Sequence, residues 1–227
     1  MKTPILIINY KTYPQGLGRK AVELAEIADQ VAKERGVAIA VCPQAVDLRI
    51  VKEVTNSVYV LAQHTDPYIS GAHTGSITIS ALLDCKVHGT LLNHSEKKIK
   101  LEELAEVIRL CKENGLVTVC CASNPEEARE VAKYSPDFIA IEPPELIGTG
   151  IAVSQAKPEV LTQTIDEVRK ISQEIKLLCG AGITKGEDVE RALEVGMEGV
   201  LVASGIVKAS DPRKVIEELS IPLSRKS

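Results

Sequence analysis

Apolar residues follow two different periods along this chain, and the two periods alternate. Short runs of Val, Ile, Leu and Ala are separated by longer segments in which apolar positions recur every three or four residues. Unbroken apolar runs are typical of parallel strands that are buried on both faces of a sheet. They predict eight strands, at residues 5–8, 38–41, 58–61, 90–92, 117–120, 138–141, 175–178 and 199–202.

The segments between these runs have the period of amphipathic helices. One of them carries its apolar stripe at Ala21, Leu24, Ala25, Ala28, Val31 and Ala32. Asn124 or Pro125 predicts the start of a helix over residues 126–131, and Thr184 with Glu187 has the spacing of a capping box. The glycines predicted to end helices are Gly36, Gly115 and Gly196.

Strand and helix alternate eight times with no linker, charge block or low-complexity stretch between them. This pattern favours a single-domain α/β fold, the (β/α)8 TIM barrel, over an open doubly wound sheet. A length of 227 residues suits such a barrel if its loops are short. We therefore expect one domain over residues 1–227, with its active site at the carboxyl ends of the strands.

Composition narrows the environment and the partners. Only 3% of the residues are aromatic while 44% are hydrophobic, so the core is expected to be aliphatic. A formal net charge of −4 provides no basic surface for nucleic acid. No apolar stretch is long enough for a signal peptide or a membrane helix, which predicts a cytoplasmic protein without membrane contact.

Six cysteines lie at positions 42, 85, 111, 120, 121 and 179. Neighbouring Cys120 and Cys121 point to opposite faces of a strand, which does not suit a disulfide framework. Because there is no C-x-x-C pair and no cysteine beside a histidine, buried reduced thiols are favoured over a metal site. We expect neither a metal nor an organic cofactor.

Polar residues follow several of the predicted strands and would meet at one mouth of the barrel. They are Asn9, Tyr10 and Lys11 after the first strand, His94, Ser95 and Glu96 after the fourth, and Glu142 after the sixth. Taken singly, Lys11 could be a solvated loop lysine, His94 a polar cap residue and Glu142 an ordinary carboxylate. Their convergence at the same strand ends favours catalytic roles.

Two further features suggest a phosphate-bearing substrate held under a lid. Glu142 leads into residues 143–150, a loop that starts with two prolines and ends with Gly148-Thr149-Gly150, as a movable lid would. The seventh and eighth strands are followed by small-residue turns at 180–182 and 203–205, where backbone N–H groups and a helix N-terminus can bind an anion. Plain turn geometry is the alternative for these small residues.

These motifs resemble the signatures of the triosephosphate isomerase family, in that family's order and along essentially the whole chain. They are Asn9-Tyr10-Lys11, Gly71-Ala72-His73-Thr74-Gly75, Asn93-His94-Ser95-Glu96, Ile141-Glu142-Pro143 and Ile147-Gly148-Thr149-Gly150. The short length resembles the archaeal form. The resemblance implies interconversion of dihydroxyacetone phosphate and D-glyceraldehyde 3-phosphate through an enediolate, a step of glycolysis and gluconeogenesis.

The resemblance also implies a role for each matched residue. Glu142 would move the proton, His94 would polarise the carbonyl as a neutral imidazole near a helix N-terminus, and Lys11 would offset negative charge. The substrate-binding residues would be Asn9, Tyr10, Lys11, Gly148, Gly182, Ala203 and Ser204. The supporting residues would be Ser95, which would hold Glu142 while the lid is open, Glu96, which would pair with Lys11, and Thr74.

By the same resemblance, the loop around Thr74 would reach into a neighbouring subunit and support Lys11 and Asn9 there. A surface turn without a partner is the alternative for this loop. The predicted assembly is a homo-oligomer, a tetramer as in archaeal forms, with a dimer as the alternative.

Four residues depart from the family pattern. Glu145 replaces a Trp of the lid, Cys179 replaces a Tyr that braces it, and Ala203-Ser204 replaces Gly-Gly. Glu145 is expected to stabilise the lid through a polar contact. The competing interpretations are a pentose-phosphate epimerase, a prenyl- or indole-glycerol phosphate synthase, and a catalytically idle sugar-phosphate sensor. The rival enzymes share the glycine-rich turns but do not account for His94 together with Glu142 and its lid.

Overall fold

A computed structural model describes residues 1–224 of the chain. Within them, eight parallel strands form a closed barrel in chain order, and the last strand pairs with the first. The strands are β1 Ile5–Asn9, β2 Ala38–Cys42, β3 Tyr59–Ala62, β4 Gly89–Leu92, β5 Val117–Ala122, β6 Phe138–Ile141, β7 Lys176–Gly180 and β8 Gly199–Val202. The predicted TIM barrel is confirmed. The last three residues of the predicted domain lie outside the described part.

Helices connect consecutive strands and pack around the barrel. They are α1 Arg19–Arg35, α2 Leu48–Val54, α3 Ile79–Asp84, α4 Leu101–Glu113, α5 Pro125–Ala132, α6 Val153–Ala156, α7 Pro158–Arg169, α8 Gly186–Val195, α9 Ser204–Val207 and α10 Pro212–Ser224. All six predicted stripe residues of α1 are buried. Gly36 and Gly196 follow α1 and α8 in the left-handed conformation, and Gly115 does so one residue beyond the C-cap of α4.

The predicted start of α5 is confirmed, but the predicted cap of α8 is wrong. The Asn124 side-chain oxygen accepts a hydrogen bond from the Glu127 N–H at 2.8 Å. At α8 the capping carboxylate belongs to Asp188 and not to Glu187, because it is Asp188 that accepts from the backbone N–H groups of Thr184 and Lys185, each at 3.0 Å. The two acidic residues are adjacent, so sequence spacing placed the cap one residue too early.

Apolar side chains form two layers, one on each side of the sheet. The barrel interior is filled by a small cluster that includes Ile5, Ile7, Leu61, Leu91, Val119, Phe138, Leu178 and Leu201. A larger cluster fills the space between the sheet and the helices. Because strand residues alternate between these layers, the barrel has a packed, mostly aliphatic centre, and chemistry is confined to the strand ends.

The cysteines belong mainly to these layers. All six are free, and all are buried except the half-buried Cys85, where the prediction of a buried thiol is wrong. Within residues 1–224, no group of three or more His, Cys, Asp or Glu side chains is arranged to hold a metal ion. The same residues contain no helix long and apolar enough to span a membrane.

Candidate active site

The chain leaves β1 through a strained lysine. Lys11 has φ of 48°, a left-handed conformation that costs a non-glycine residue on the order of 1 kcal/mol. The Asn9 side-chain oxygen accepts from the Lys11 N–H at 2.9 Å, and the Gln63 amide donates to the Lys11 carbonyl at 2.8 Å. Held in this way, the Lys11 ammonium forms the predicted ion pair with Glu96, with Nζ 2.7 Å from Oε1.

A second left-handed residue turns the chain after β4. Asn93 has φ of 56°, and its amide nitrogen donates to the Cys121 carbonyl at 3.0 Å and to Glu127 Oε1 at 2.8 Å. Its side-chain oxygen accepts from the Ile99 N–H at 3.1 Å. Asparagine tolerates this backbone conformation better than most residues because its short polar side chain hydrogen-bonds locally. Asn93 thereby fixes the loop that carries His94.

His94 is neutral, and its hydrogen bond fixes the tautomer. Its Nδ1 accepts from the backbone N–H of Glu96 at 3.2 Å, so the ring proton is on Nε2. Burial lowers the pKa of His94, and the charges of Lys11 and Lys98 lower it further, against the opposing effect of Glu96. The imidazole therefore offers an N–H donor without carrying positive charge.

The predicted cause of this neutrality is wrong. Residues 95–97 form a turn, and α4 begins only at Leu101, so no helix starts directly after His94. Burial is the main reason for the lowered pKa of His94, and a single backbone N–H sets the tautomer. The chemical result is the one expected from the sequence, but it is reached by a different arrangement.

Glu142 follows β6 and has only 8% of its surface exposed. Burial raises the pKa of its carboxyl from 4.5 to about 7, while the Cys121 thiol and Lys11 act in the opposite direction. A carboxylate whose pKa lies near neutral pH can both take a proton from carbon and return it. This environment suits a general base.

The carboxylate of Glu142 and the ring of His94 face each other. Glu142 Oε2 lies 3.3 Å from His94 Nε2, yet neither atom has a hydrogen-bond partner within residues 1–224, because the direction of the ring N–H misses the oxygen. Buried polar atoms without partners are rare in folded proteins. Two of them side by side mark a place where the polar groups of a ligand can bind.

The residue behind Glu142 has no side chain. A Cβ atom added to Gly180, at the end of β7, would lie 2.4 Å from Cγ and 2.8 Å from Oε1 of Glu142. No side chain can occupy that position unless Glu142 moves. Gly180 therefore sets how far the carboxylate can lie toward β7.

Replacing Gly180 with Ala is expected to lower kcat about 100-fold, because displacing a reacting group by about 1 Å has an effect of that size. Steady-state kinetics on glyceraldehyde 3-phosphate would measure the change. Gly36→Ala is the control, since a Cβ there meets nothing within 4 Å and only the strain of a φ of 66° is added. That control should lose thermal stability and keep its kcat. Equal kcat in the native chain and Gly180→Ala would show that Gly180 does not limit the base.

A cavity of about 250 Å³ opens beside Glu142. Lys11 forms one side of it, and the lid and the turns after β7 and β8 form the rest. The residues contributed by these three segments include Gly148, Thr149, Ala181, Gly182, Ala203, Ser204 and Gly205. Both small-residue turns thus lie at one cavity, within reach of the base, as an anion-binding role requires.

Local hydrogen bonds stabilise the conformation of the lid. Residues 144–146 form one turn of 3₁₀ helix, and Leu146 is buried. The Thr149 hydroxyl donates to the Leu146 carbonyl at 2.8 Å and accepts from the Ile151 N–H at 3.1 Å. A loop with its own internal bonds can move as one piece about its ends.

The far end of the lid lies directly against the turn after β7. A Cβ atom on Gly182 would be 1.8 Å from the Ile151 carbonyl oxygen, a separation that only glycine permits. The Val153 N–H also donates to the Ala181 carbonyl, at 3.4 Å. The segment directly after the lid and the proposed anion turn are therefore in backbone contact.

Glu145, which departs from the family pattern, does make a polar contact. Its carboxylate accepts a hydrogen bond from Lys157, a residue between α6 and α7, and this bond lowers the pKa of Glu145. The pair therefore links the first part of the lid to the helices beyond its far end. Both side chains are exposed, and exposed ion pairs contribute little to stability. Cys179, the other lid departure, is fully buried, and its sulfur accepts a hydrogen bond from the backbone of Ser154, just beyond the lid.

Three predicted site residues line neither the cavity beside Glu142 nor a second cavity, which borders Lys11 and His94. The Tyr10 side chain is fully buried in the outer apolar layer and lines neither cavity at the mouth, so we leave it out of the site. Tyr10 directly follows β1 and continues its alternation, so its side chain joins those of Leu6 and Ile8 on the outer face of the sheet. Thr74 is exposed in the loop between β3 and α3. Ser95 is half-buried, and Glu142 faces His94 instead of Ser95.

Some contributors to the site were missed by sequence reasoning. They are Gln63, Cys121, Gly180 and Asp188. Gly180 lies in a segment that the sequence marked as a turn, and Asp188 lies next to the predicted capping box of α8. Nothing in the pattern showed that Gly180 touches Glu142 or that Asp188 touches the segment after the lid. Gln63 and Cys121 carried no sequence signal.

The desolvated carboxylate of Glu142 and the half-buried Lys11 line a cavity that also contains the two small-residue turns. The neutral imidazole of His94 faces that carboxylate. Together with the barrel, this arrangement defines a TIM-barrel enzyme that moves protons on a small anionic substrate. The comparisons with known proteins name the family.

The family model described as triosephosphate isomerase matches residues 4–219. Among curated proteins, a triosephosphate isomerase of Methanocaldococcus jannaschii is 51% identical over 95% of this chain and 98% of its own length. One of Methanothermus fervidus is 47% identical over 96% of this chain and 98% of its own length. One of Methanobrevibacter smithii is 45% identical over 96% and 98%.

The chain belongs to the triosephosphate isomerase family. It is an isomerase that interconverts dihydroxyacetone phosphate and glyceraldehyde 3-phosphate, the reaction of that family in glycolysis. This assignment decides against the epimerase and synthase interpretations, and against the idle sensor.

Proposed function

We propose that Glu142 is the base that carries the proton between the two carbons of the substrate. The observation that carries this role is its burial opposite His94, which raises the pKa of Glu142 to about 7. A carboxylate removed from water is a stronger base than a solvated one, and the closed lid would keep it dry. Glu142 lines the same cavity as the two small-residue turns, within reach of a bound triose phosphate.

His94 and Lys11 would stabilise the enediolate. The Nε2–H of His94 would donate to the oxygen that becomes negative, and Lys11 would place its charge beside that oxygen. Asn9 would contribute mainly by holding Lys11, since its oxygen is occupied by the Lys11 N–H at 2.9 Å. Glu96 would fix the Lys11 ammonium through the 2.7 Å ion pair. Fixed donors aimed at developing charge avoid reorganisation during the reaction.

The substrate phosphate would lie among Gly148 of the lid and Gly182, Ala203 and Ser204 of the turns. The backbone of Gly182 is in the left-handed conformation, with φ of 71°, and Ser204 begins α9. Small residues at these positions leave the N–H groups accessible to an anion. Ser95 would hold Glu142 in an open-lid state, which differs from the arrangement described above.

The purified chain should isomerise glyceraldehyde 3-phosphate without added metal or cofactor. A coupled assay for dihydroxyacetone phosphate, run with and without a chelator, measures this. Binding of inorganic phosphate in the absence of turnover would contradict the proposed roles of Glu142 and His94 while leaving the phosphate site standing.

The rate should depend on pH in a way set by Glu142. Burial raises the pKa of Glu142 to about 7, so kcat/KM should fall about tenfold per pH unit below that value, as the base becomes protonated. Burial lowers the pKa of His94, which extends the neutral form of the imidazole toward lower pH. The substrate phosphate also titrates, near pH 6, so the pH dependence of binding of a phosphate analogue is the control. An acidic limb centred near 4.5 would show that Glu142 is not desolvated.

The loop around Thr74 would complete the site of a second subunit. A cavity of about 320 Å³ next to Lys11 and His94 is lined by Gln44, Gln63 and Lys97 among others. It is open on this single chain and would receive the partner's loop, residues 66–78. We propose a homotetramer, with a dimer as the alternative, and sedimentation equilibrium distinguishes the two. A monomer with full activity would contradict the shared site.

We further propose a cytoplasmic enzyme of one domain over residues 1–227, with a lid over about 143–150. Its partners would be the triose phosphates and copies of itself, without nucleic acid or membrane. The net charge of −4 supports the first exclusion. Recovery of the chain from the cytosolic fraction of its own cells would test the location.

A further inference from the structure

Asp188 is a buried carboxylate that the catalytic roles above do not use. It has 2% of its surface exposed and lies in the first turn of α8. Its Oδ2 accepts from the backbone N–H groups of Thr184 and Lys185, each at 3.0 Å. Its Oδ1 accepts from the side-chain amide of Gln155 at 2.6 Å. A buried carboxylate with these donors holds three chain positions at once.

The donors come from two different parts of the active site. Thr184 and Lys185 end the turn that starts at Gly182 and forms part of the proposed phosphate site. Gln155 lies in α6, directly after the lid. A second bond joins the same segments, because the Ser154 hydroxyl donates to the Asp188 carbonyl at 3.3 Å. Asp188 is thus a buried side chain that links the segment directly after the lid to the phosphate turn.

An ordinary helix cap would account for only half of these contacts. Capping requires the bonds from Thr184 and Lys185, and it makes no use of Oδ1. The bonds from Gln155 and Ser154 come from 33 and 34 residues away in the chain. They act where the backbone of Ile151 already lies against Gly182. Capping of α8 alone would not require these bonds to the segment after the lid.

We propose that Asp188, through Gln155, is a positioning residue for the lid. It would hold the hinge at the far end of the lid, residues 151–155, in a fixed position against the phosphate turn, residues 182–185. The inference rests on the proposed role of Gly182 and the lid in phosphate binding. If the hinge is released, the closed lid no longer covers the phosphate fully. The substrate then binds more weakly, and the enediolate is exposed to water for longer.

Exposure of the enediolate has a measurable chemical consequence. The intermediate can break the carbon–oxygen bond to its phosphate, and the phosphate leaves with the bonding electron pair. The remaining enol aldehyde rearranges by proton transfer to a 2-oxoaldehyde. No oxidant or other reactant is needed. The ratio of inorganic phosphate released to isomer formed therefore reports how well the lid keeps the intermediate bound.

Two variants separate positioning from capping. Gln155→Leu removes the hinge bond and leaves the cap intact, because Thr184 and Lys185 still donate to Asp188. Asp188→Asn weakens both. Gln173→Leu is the matched control, since the Gln173 amide also donates a hydrogen bond, to the Arg169 carbonyl at 2.8 Å, but lies before β7 at the opposite end of the barrel.

We expect Gln155→Leu to raise KM for glyceraldehyde 3-phosphate roughly tenfold, in line with the loss of one hydrogen bond to a charged group. The phosphate-release ratio should rise several-fold, with circular dichroism unchanged and Tm lowered less than in Asp188→Asn, because only one hydrogen bond to the buried carboxylate is lost. Asp188→Asn should shift both quantities at least as far and also lower Tm. Gln173→Leu should change neither KM nor the ratio.

If both variants keep the native KM and phosphate-release ratio, and Asp188→Asn only loses Tm, Asp188 is a helix cap and the proposal is overturned. Failure of the proposed site itself would appear differently. In that case inorganic phosphate would not compete with the substrate in the native chain, whatever Gln155 does.

Discussion

Replacing Glu142 with Gln should lower kcat by about 10²–10⁴-fold at pH 8, the range that general-base catalysis contributes. The amide is nearly the same size as the carboxylate and cannot accept a proton from carbon. Glu142 lies 3.3 Å from His94 inside a buried pocket, and no other carboxylate of the first cavity could replace it. Steady-state kinetics on both triose phosphates, in both directions, measures the loss.

The control for this variant is Glu26→Gln, an exposed position on α1 that carries the same chemical change. It should leave kcat unchanged. Binding of inorganic phosphate to Glu142→Gln should also remain, because the proposed phosphate contacts come from other residues. A Glu142→Gln protein that keeps more than a tenth of the native kcat would remove Glu142 from its proposed role.

The same substitution has a consequence for stability, with a definite sign. The pKa of Glu142 is raised from 4.5 in the unfolded chain to about 7 in the folded one, so the folded state holds more protons between these values. The contribution of Glu142 to native stability therefore falls as pH rises through that window, whereas Gln does not titrate and avoids this loss. Relative to the native chain, Glu142→Gln should gain up to about 3 kcal/mol in free energy of unfolding between pH 4 and pH 8. Urea denaturation at the two pH values measures the gain.

Replacing His94 with Gln should lower kcat by about 10²–10³-fold, the effect of removing one donor to a developing oxyanion. The glutamine amide can still donate a hydrogen bond, but it is not fixed by the Glu96 N–H as the imidazole is at 3.2 Å. Since His94 is neutral, its loss removes a donor and no charge. KM should change much less than kcat, and that split identifies an interaction made mainly in the transition state.

Lys11→Met provides the contrast for the His94 variant. Removal of a charge beside an anionic substrate should weaken binding as well as turnover, and this effect should depend on salt concentration. A His94→Gln protein with unchanged kcat, or one whose loss is entirely in KM, would contradict the proposed role of the imidazole.

Two residues that depart from the family pattern, Glu145 and Cys179, change how the lid is held. Glu145 is tied to Lys157, and Cys179 is buried where the family has a bracing Tyr. The far hinge is instead held by the backbone contact at Gly182 and by Asp188. In this chain, the polar contacts of the lid are therefore made with its own flanking helices and with the start of α8.

The sequence by itself determined the fold and the order of the reacting groups. Each of the eight predicted strands overlaps an observed strand. A parallel strand that is buried on both faces needs a continuous run of apolar residues, and such a run is visible in the sequence. The places of Lys11, His94 and Glu142 followed for the same reason, because parallel strands in a closed barrel present all their carboxyl ends at one mouth.

Only the tertiary structure decided what those groups are chemically. The pKa of Glu142 depends on burial by side chains from several strands, and the tautomer of His94 depends on one backbone N–H in a turn. Sequence reasoning placed Tyr10 in the site because it lies between Asn9 and Lys11, whereas the pleat turns it outward. Asp188, Gln155 and Gly180 act through contacts between segments far apart in the chain, and a linear pattern carries no record of such contacts.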